Sequence, residues 1–191
     1  IWTRPELSVL VCYSKVMLKE ALLGANLLDD PLLAESVSRA FPPQLAERYL
    51  ADIAEHQLRQ EIAATQLAND MVDRVGFTFF FRQMESTGAS PADIIRAFAI
   101  SINILGVDQL WQQIENSQDN LPANLQLDLL HILMRLVRRS SRWFLRNRRQ
   151  NLHCSEAIQS MGEPMELVLE KLPDLHESEW IKLWNDEKAQ L

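Results

Sequence analysis

Residues 43–81, PQLAERYLADIAEHQLRQEIAATQLANDMVDRVGFTFFF, decide how the chain folds. Projected at roughly 100° per residue, the helical repeat, Arg48, Asp52, Glu55, Arg59, Asp70 and Asp73 gather their charges on one narrow face. Leu45, Tyr49, Ile53, Ala63, Leu67, Met71 and Val75 form one apolar stripe. Leu58, Ile62, Thr65, Asn69 and Val72 form a second stripe on the far side. A helix that is apolar on two sides is covered on two sides, so this stretch is expected to be a long central helix with neighbours on both flanks. Gly76 weakens it, and Phe79-Phe80-Phe81 would suit a buried strand. A lone strand has no partner here, so residues 75–81 are read as helix with a kink at Gly76.

Working outward, Thr3-Arg4-Pro5-Glu6 reads as a capping box with proline in the first turn. It opens a helix to about Ala25. Leu7, Leu10, Val11, Val16, Met17, Leu18, Ala21, Leu22 and Leu23 leave only a thin polar strip through Ser8, Cys12, Lys15 and Lys19, which predicts a deeply packed neighbour of the central helix. Asp29-Asp30-Pro31 starts a short helix, and Phe41-Pro42-Pro43 turns the chain. Ser90-Pro91-Ala92-Asp93 repeats the cap-plus-proline start for a helix ending at Gly106. A short helix follows around Leu110, Trp111 and Ile114, and Pro122 opens a long one to about Arg149. Beyond it, Gly162-Glu163-Pro164 should kink or split a helix that Pro173 ends, and Trp180 and Trp184 sit one turn apart on a last helix. The expected fold is all-α, an irregular multi-helix bundle around a long central helix. Residues 1–150 would form the bundle domain and residues 151–191 a C-terminal helical extension packing on it.

The 191 residues include only five glycines, and no apolar run approaches the roughly 20 residues a membrane crossing needs. Cys12 and Cys154 are too few and too far apart for a disulfide scaffold. A cytoplasmic protein without a membrane partner is expected. The opening Ile1-Trp2-Thr3, in place of methionine, suggests processing or excision from a longer protein, with excision preferred. The net charge is −7, which repels nucleic acid over most of the surface. Seven arginines (135, 138, 139, 142, 146, 148 and 149) nevertheless stand within fifteen residues, so the rest of the chain is more acidic still.

Signals for chemistry are weak. A zinc site signals itself by paired ligand spacings, but His153 and Cys154 are immediate neighbours that diverge on a helix, and His56, His131 and His176 stand alone. There is no G-x-S-x-G elbow and no glycine-rich phosphate loop. No catalytic, cofactor-binding or metal-binding residue is assigned. Thr65 and Asn69 are read as bonding across a helix interface, and Trp143 and Phe144 as core.

The candidate interface is the arginine stripe. Arg135, Arg138, Arg139, Arg142, Arg146 and Arg149 share one face of the long helix opened by Pro122, opposite Leu125, Leu129, Leu133, Leu136 and Val137. Guanidinium groups suit carboxylates and phosphates, so this face could meet another domain, a subunit, an anionic metabolite or nucleic acid, or simply be solvated. Nucleic acid is disfavoured, because stacking aromatics do not accompany the basic face.

Several stretches together carry a resemblance. Thr3-Arg4-Pro5-Glu6-Leu7 with Tyr13-Ser14-Lys15, Glu61-Ile62-Ala63-Ala64-Thr65-Gln66-Leu67-Ala68-Asn69 with Met71-Val72, and Arg142-Trp143-Phe144-Leu145-Arg146 resemble the C-terminal helical region of the large bacterial NAD-specific glutamate dehydrogenases. The likeness runs from the first residue to about Arg149 and loosens beyond it. It implies a parent enzyme that converts L-glutamate to 2-oxoglutarate and ammonium with NAD+, whose substrate lysines and dinucleotide loop lie in a preceding catalytic region. None of those motifs matches here, so no catalytic residue is carried over and no cofactor is assigned to this segment. The implied role is structural, between domains or in a homo-oligomer, with the catalytic region of the same polypeptide as partner. The alternative is a free-standing helical module that uses the arginine stripe on an acidic protein or nucleic-acid partner.

Overall fold

The structure is a computed structural model that describes residues 2–117, 122–148 and 152–171. Among these there are helices and no strand. They are α1 (Arg4–Leu23), α2 (Pro31–Ser38), α3 (Pro43–Arg48), α4 (Leu50–Ala54), α5 (Arg59–Val75), α6 (Phe79–Thr87), α7 (Pro91–Ile104), α8 (Val107–Asn116), α9 (Ala123–Asn147) and α10 (Cys154–Lys171). The all-α reading is therefore right. The segments expected at Pro173, Trp180 and Trp184 lie outside the described residues.

The long central helix is shorter than expected. Residues 43–81 divide into α3, α4, α5 and the start of α6. Tyr49 leaves helical geometry at φ −121°, ψ 31°. At the next break, His56 Nδ1 accepts the Leu58 amide at 3.1 Å, and Arg59 Nη1 donates to the Ala54 carbonyl at 3.0 Å. These side-chain bonds replace ladder bonds, which is how a polar residue interrupts a helix without glycine or proline. What stays central is α5, with α1 and α2 packed on it most extensively and α9 against it as well. Its buried side is one broad face, Ala63, Ala64, Leu67, Ala68, Met71, Val72 and Val75. Two separated stripes are not what it shows. Thr65 is exposed, and its hydroxyl donates to Glu61 O at 2.6 Å within its own helix, so it does not bond across an interface.

After Val75 the chain turns at Gly76, whose φ of +84° is a conformation L side chains rarely adopt. The turn delivers Phe79 and Phe80 into the core, Phe79 lying 6.5 Å from Phe98 between ring centroids. Helix starts are capped as the sequence suggests. The Glu6 carboxylate accepts both the backbone amide (2.7 Å) and the hydroxyl (2.8 Å) of Thr3, and the Ser90 hydroxyl accepts the Asp93 amide at 3.1 Å. Asp30 serves two helices, accepting Leu32 N at the start of α2 (3.1 Å) and Cys154 N at the start of α10 (3.1 Å). Leu152 and Cys154 are buried in the same core as α5 and α7. Gly162 and Pro164 do not split α10; Pro164 lies on its exposed side.

The expectation for α1 fails in an informative way. Only Ser14, Leu18 and Leu22 are buried, while Leu7, Val9, Leu10, Tyr13, Val16 and Met17 are exposed. The periodicity was broad enough to predict deep packing, but the bundle supplies one neighbour surface, α5 with a little of α7. The opposite side of α1 is left uncovered by the described residues.

Candidate interface on helix α9

Helix α9 is held by its inward residues. Leu133, Val137, Ser141, Phe144 and Leu145 are buried against α7, α8, α5 and α6. Ser141 Oγ donates to Val137 O at 2.8 Å and Ser101 Oγ of α7 donates to Ala97 O at 2.7 Å, so each buried hydroxyl is satisfied within its own helix where the two oxygens approach to 3.2 Å. This packing fixes how the rest of α9 is presented.

The structure separates the six candidate arginines. Arg135, Arg139, Arg142 and Arg146 are exposed, and none forms an ion pair with a described residue. Arg149 lies outside the described residues. Arg138 is half-buried and committed within the chain. Its Nε and Nη2 both donate to the Val75 carbonyl, at 2.8 and 2.5 Å. That carbonyl is an orphan acceptor at the end of α5, where a cation also suits the helix dipole. Burial, then the neighbouring Arg82, pull the Arg138 pKa down from its ordinary value. Gly76 is part of the same arrangement, because a Cβ there would come 2.9 Å from Arg138 Nη2.

Beside the four exposed arginines runs an apolar ridge. Ile132, Leu136 and Trp143 are all exposed, Trp143 by 45 %. Trp143 is therefore surface and only Phe144 is core, the two rings meeting edge to face at 5.2 Å. Sequence reasoning placed Leu136 and Trp143 on the packed side because they continue the apolar stripe of Leu129, Leu133 and Val137 in the helical projection. The bundle covers only the portion centred on Val137 and Phe144. The outer face of α9 thus combines guanidinium groups without an ion-pair partner among the described residues with an aromatic and aliphatic ridge, a mixture enriched in protein interfaces.

A concave feature elsewhere had no sequence signal. A cleft of about 390 Å³ lies between α2, α5, α7 and α8, lined by Leu33, Leu67, Phe98, Arg39, Asp70 and Asp108 among others. Arg39 pairs with Asp70 at 3.1 Å, and Arg74 pairs with Glu115 at 2.9 Å while lying 4.8 Å over the Trp111 ring. Burial raises the Asp70 pKa, and Arg39 opposes that shift. Its arginines already have carboxylate partners from the same chain, so the cleft is a charge network closing the junction of four helices. Among the described residues no three His, Cys, Asp or Glu side chains converge as metal ligands would. His56 and His153 each stand apart, and Cys154 is fully buried, its thiol pKa raised first by burial and then by Asp30.

Comparison with known proteins places this architecture. The family model described as glutamate dehydrogenase, C-terminal, matches residues 2–191. The NAD-specific glutamate dehydrogenase of Halomonas elongata is 48% identical over 146 residues, 76% of this chain and 9% of that protein. The protein of the same name from Pseudomonas aeruginosa is 42% identical over 182 residues, 95% of this chain and 11% of its own. The Mycobacterium tuberculosis protein is 36% identical over 187 residues, 98% of this chain and 11% of its own. The chain spans about a tenth of the length of these curated relatives. It belongs to the glutamate dehydrogenase C-terminal family.

Proposed function

We propose that this chain is the C-terminal helical part of a large NAD-specific glutamate dehydrogenase, non-catalytic by itself, and that it works by contact with the catalytic region of the same polypeptide or between subunits of a homo-oligomer in the cytoplasm. The parent would oxidise L-glutamate with NAD+ and water to 2-oxoglutarate, ammonium and NADH. Substrate and dinucleotide would both be held outside this segment. The observation that carries the contact role is the outer face of α9, where Arg135, Arg139, Arg142 and Arg146 lack ion-pair partners among the described residues and flank an apolar ridge. In a chain of net charge −7, such a face suits an acidic, partly apolar protein surface. The free-standing module is not favoured, because the relatives are about ten times longer than this chain.

Charge reversal in the full-length enzyme tests the reading. Arg139→Glu with Arg142→Glu is expected to lower glutamate-dependent NAD+ reduction or shift the oligomer size, with Tm of the segment unchanged. Arg138 is left intact, since its replacement would damage the fold. Activity and assembly both at wild-type level would remove α9 from the account. Glutamate oxidation by the isolated segment would overturn its non-catalytic role.

A further inference from the structure

The side of α1 that faces away from α5 carries Val9, Leu10, Tyr13, Val16 and Met17, with Trp2 just before the helix. All six are exposed, Trp2 by 68 %, Tyr13 by 66 % and Met17 by 59 %. At the helical repeat they lie together, opposite Ser14, Leu18 and Leu22. Charge is confined to the two ends of this face, at Glu6 and Glu20. Lys15 is drawn to Asp73 of α5 at 2.8 Å, Glu6 is turned onto Thr3 by its capping bonds, and Glu20 pairs with Lys19 at 3.7 Å. A continuous apolar patch with aromatic anchors and peripheral charge is uncommon on a free surface and marks a contact that excludes water.

We infer that this face of α1 seats on the part of the parent polypeptide that precedes the segment, as a dry interdomain seam. The inference rests on the reading above that this chain is the end of a longer enzyme. Two observations choose the occupant. The matching relatives are about ten times longer and the family model is the C-terminal one, so most of the parent precedes this segment, and α1 is its nearest helix in sequence. Consecutive elements tend to be neighbours in space. A second copy fits poorly, because a two-fold pairing centred on Tyr13 would set Glu6 against Glu20 of the other molecule, like charge on like.

Oxidative footprinting of wild-type full-length enzyme tests the seam without a substitution. Dilute peroxide oxidises accessible methionine, so Met17 in the native enzyme should react roughly tenfold more slowly than in the urea-unfolded chain. A native rate within about twofold of the unfolded one, read by peptide mass spectrometry, would overturn the proposal. The occupant is identified with Tyr13→Cys carrying a photoreactive maleimide in the full-length protein. A link to a peptide upstream of this segment, at monomer mass on a denaturing gel, supports the seam; a link at twice that mass, or none, overturns it. Neither measurement reads glutamate oxidation or the α9 face, so failure of those readings would leave its mark elsewhere.

Discussion

Helices α1 and α9 are both covered on one side, yet their open sides differ. The outer face of α1 is aliphatic and aromatic with its charges tied back, whereas that of α9 is four arginines beside a narrow ridge. An apolar face gains by permanent exclusion of water; a charged one contributes orientation and selectivity and weakens with salt. The two faces therefore suit different tasks, a fixed seam on α1 and an orienting contact on α9. Hydrophobic periodicity cannot separate residues that face a core from residues that face a missing neighbour.

The largest effects should come from the inward sides. Leu18→Ala is expected to cost about 2–5 kcal/mol of unfolding free energy in the isolated segment, because Leu18 is fully buried. Met17→Ala, next to it but outward, should stay within about 0.5 kcal/mol. Equal losses in chemical denaturation would mean that α1 is packed on both sides already. On α9, Arg138→Ala should cost about 1.5–3 kcal/mol, since it strips a buried carbonyl of a charged donor, while Arg142→Ala should change Tm negligibly. Gly76→Ala attacks the same corner from the other side. Its positive φ and the 2.9 Å approach to Arg138 Nη2 predict about 1–3 kcal/mol, read from the same melts.

The smallest effect concerns the first turn of α1. Glu6 is held below its ordinary pKa of 4.5 first by the Thr3 amide and then by the Thr3 hydroxyl. A depressed carboxylate stabilises the fold above its unfolded pKa, and the contribution is lost as pH falls through the lower folded value. The Thr3 amide resonance should thus shift with a midpoint below pH 4.5, and Glu6→Gln should abolish the shift. A midpoint at or above that value would mean the capping bonds do not form in solution.

Much of the fold was legible because local signals and burial agreed. Thr3, Asp30 and Ser90 marked helix starts, and the glycine-poor, helically periodic sequence excluded a sheet. The break at residues 55–58 was not legible, since it depends on His56 accepting the Leu58 amide, a geometry no composition rule reports. Of the candidate site, the basic face was visible in the spacing of Arg135, Arg139, Arg142 and Arg146. The separate role of Arg138 was not, because it depends on a carbonyl 63 residues away in sequence. Trp143 was misassigned for the same reason as the outer residues of α1: periodicity counts apolar positions without knowing how many neighbours exist to cover them. The apolar rim of the α9 face was missed with it.

The carboxylate of Asp30 has a practical meaning for anyone cutting this gene for expression. One oxygen serves the helix that follows it directly, and the other waits for an amide 124 positions downstream. A stop codon placed after residue 150 would strip that oxygen of its amide, leaving the Arg96 guanidinium 3.9 Å away, and would open an apolar socket where Leu152 and Cys154 sit. Such a product should come out of cells insoluble, so α10 belongs inside any working boundary of this unit.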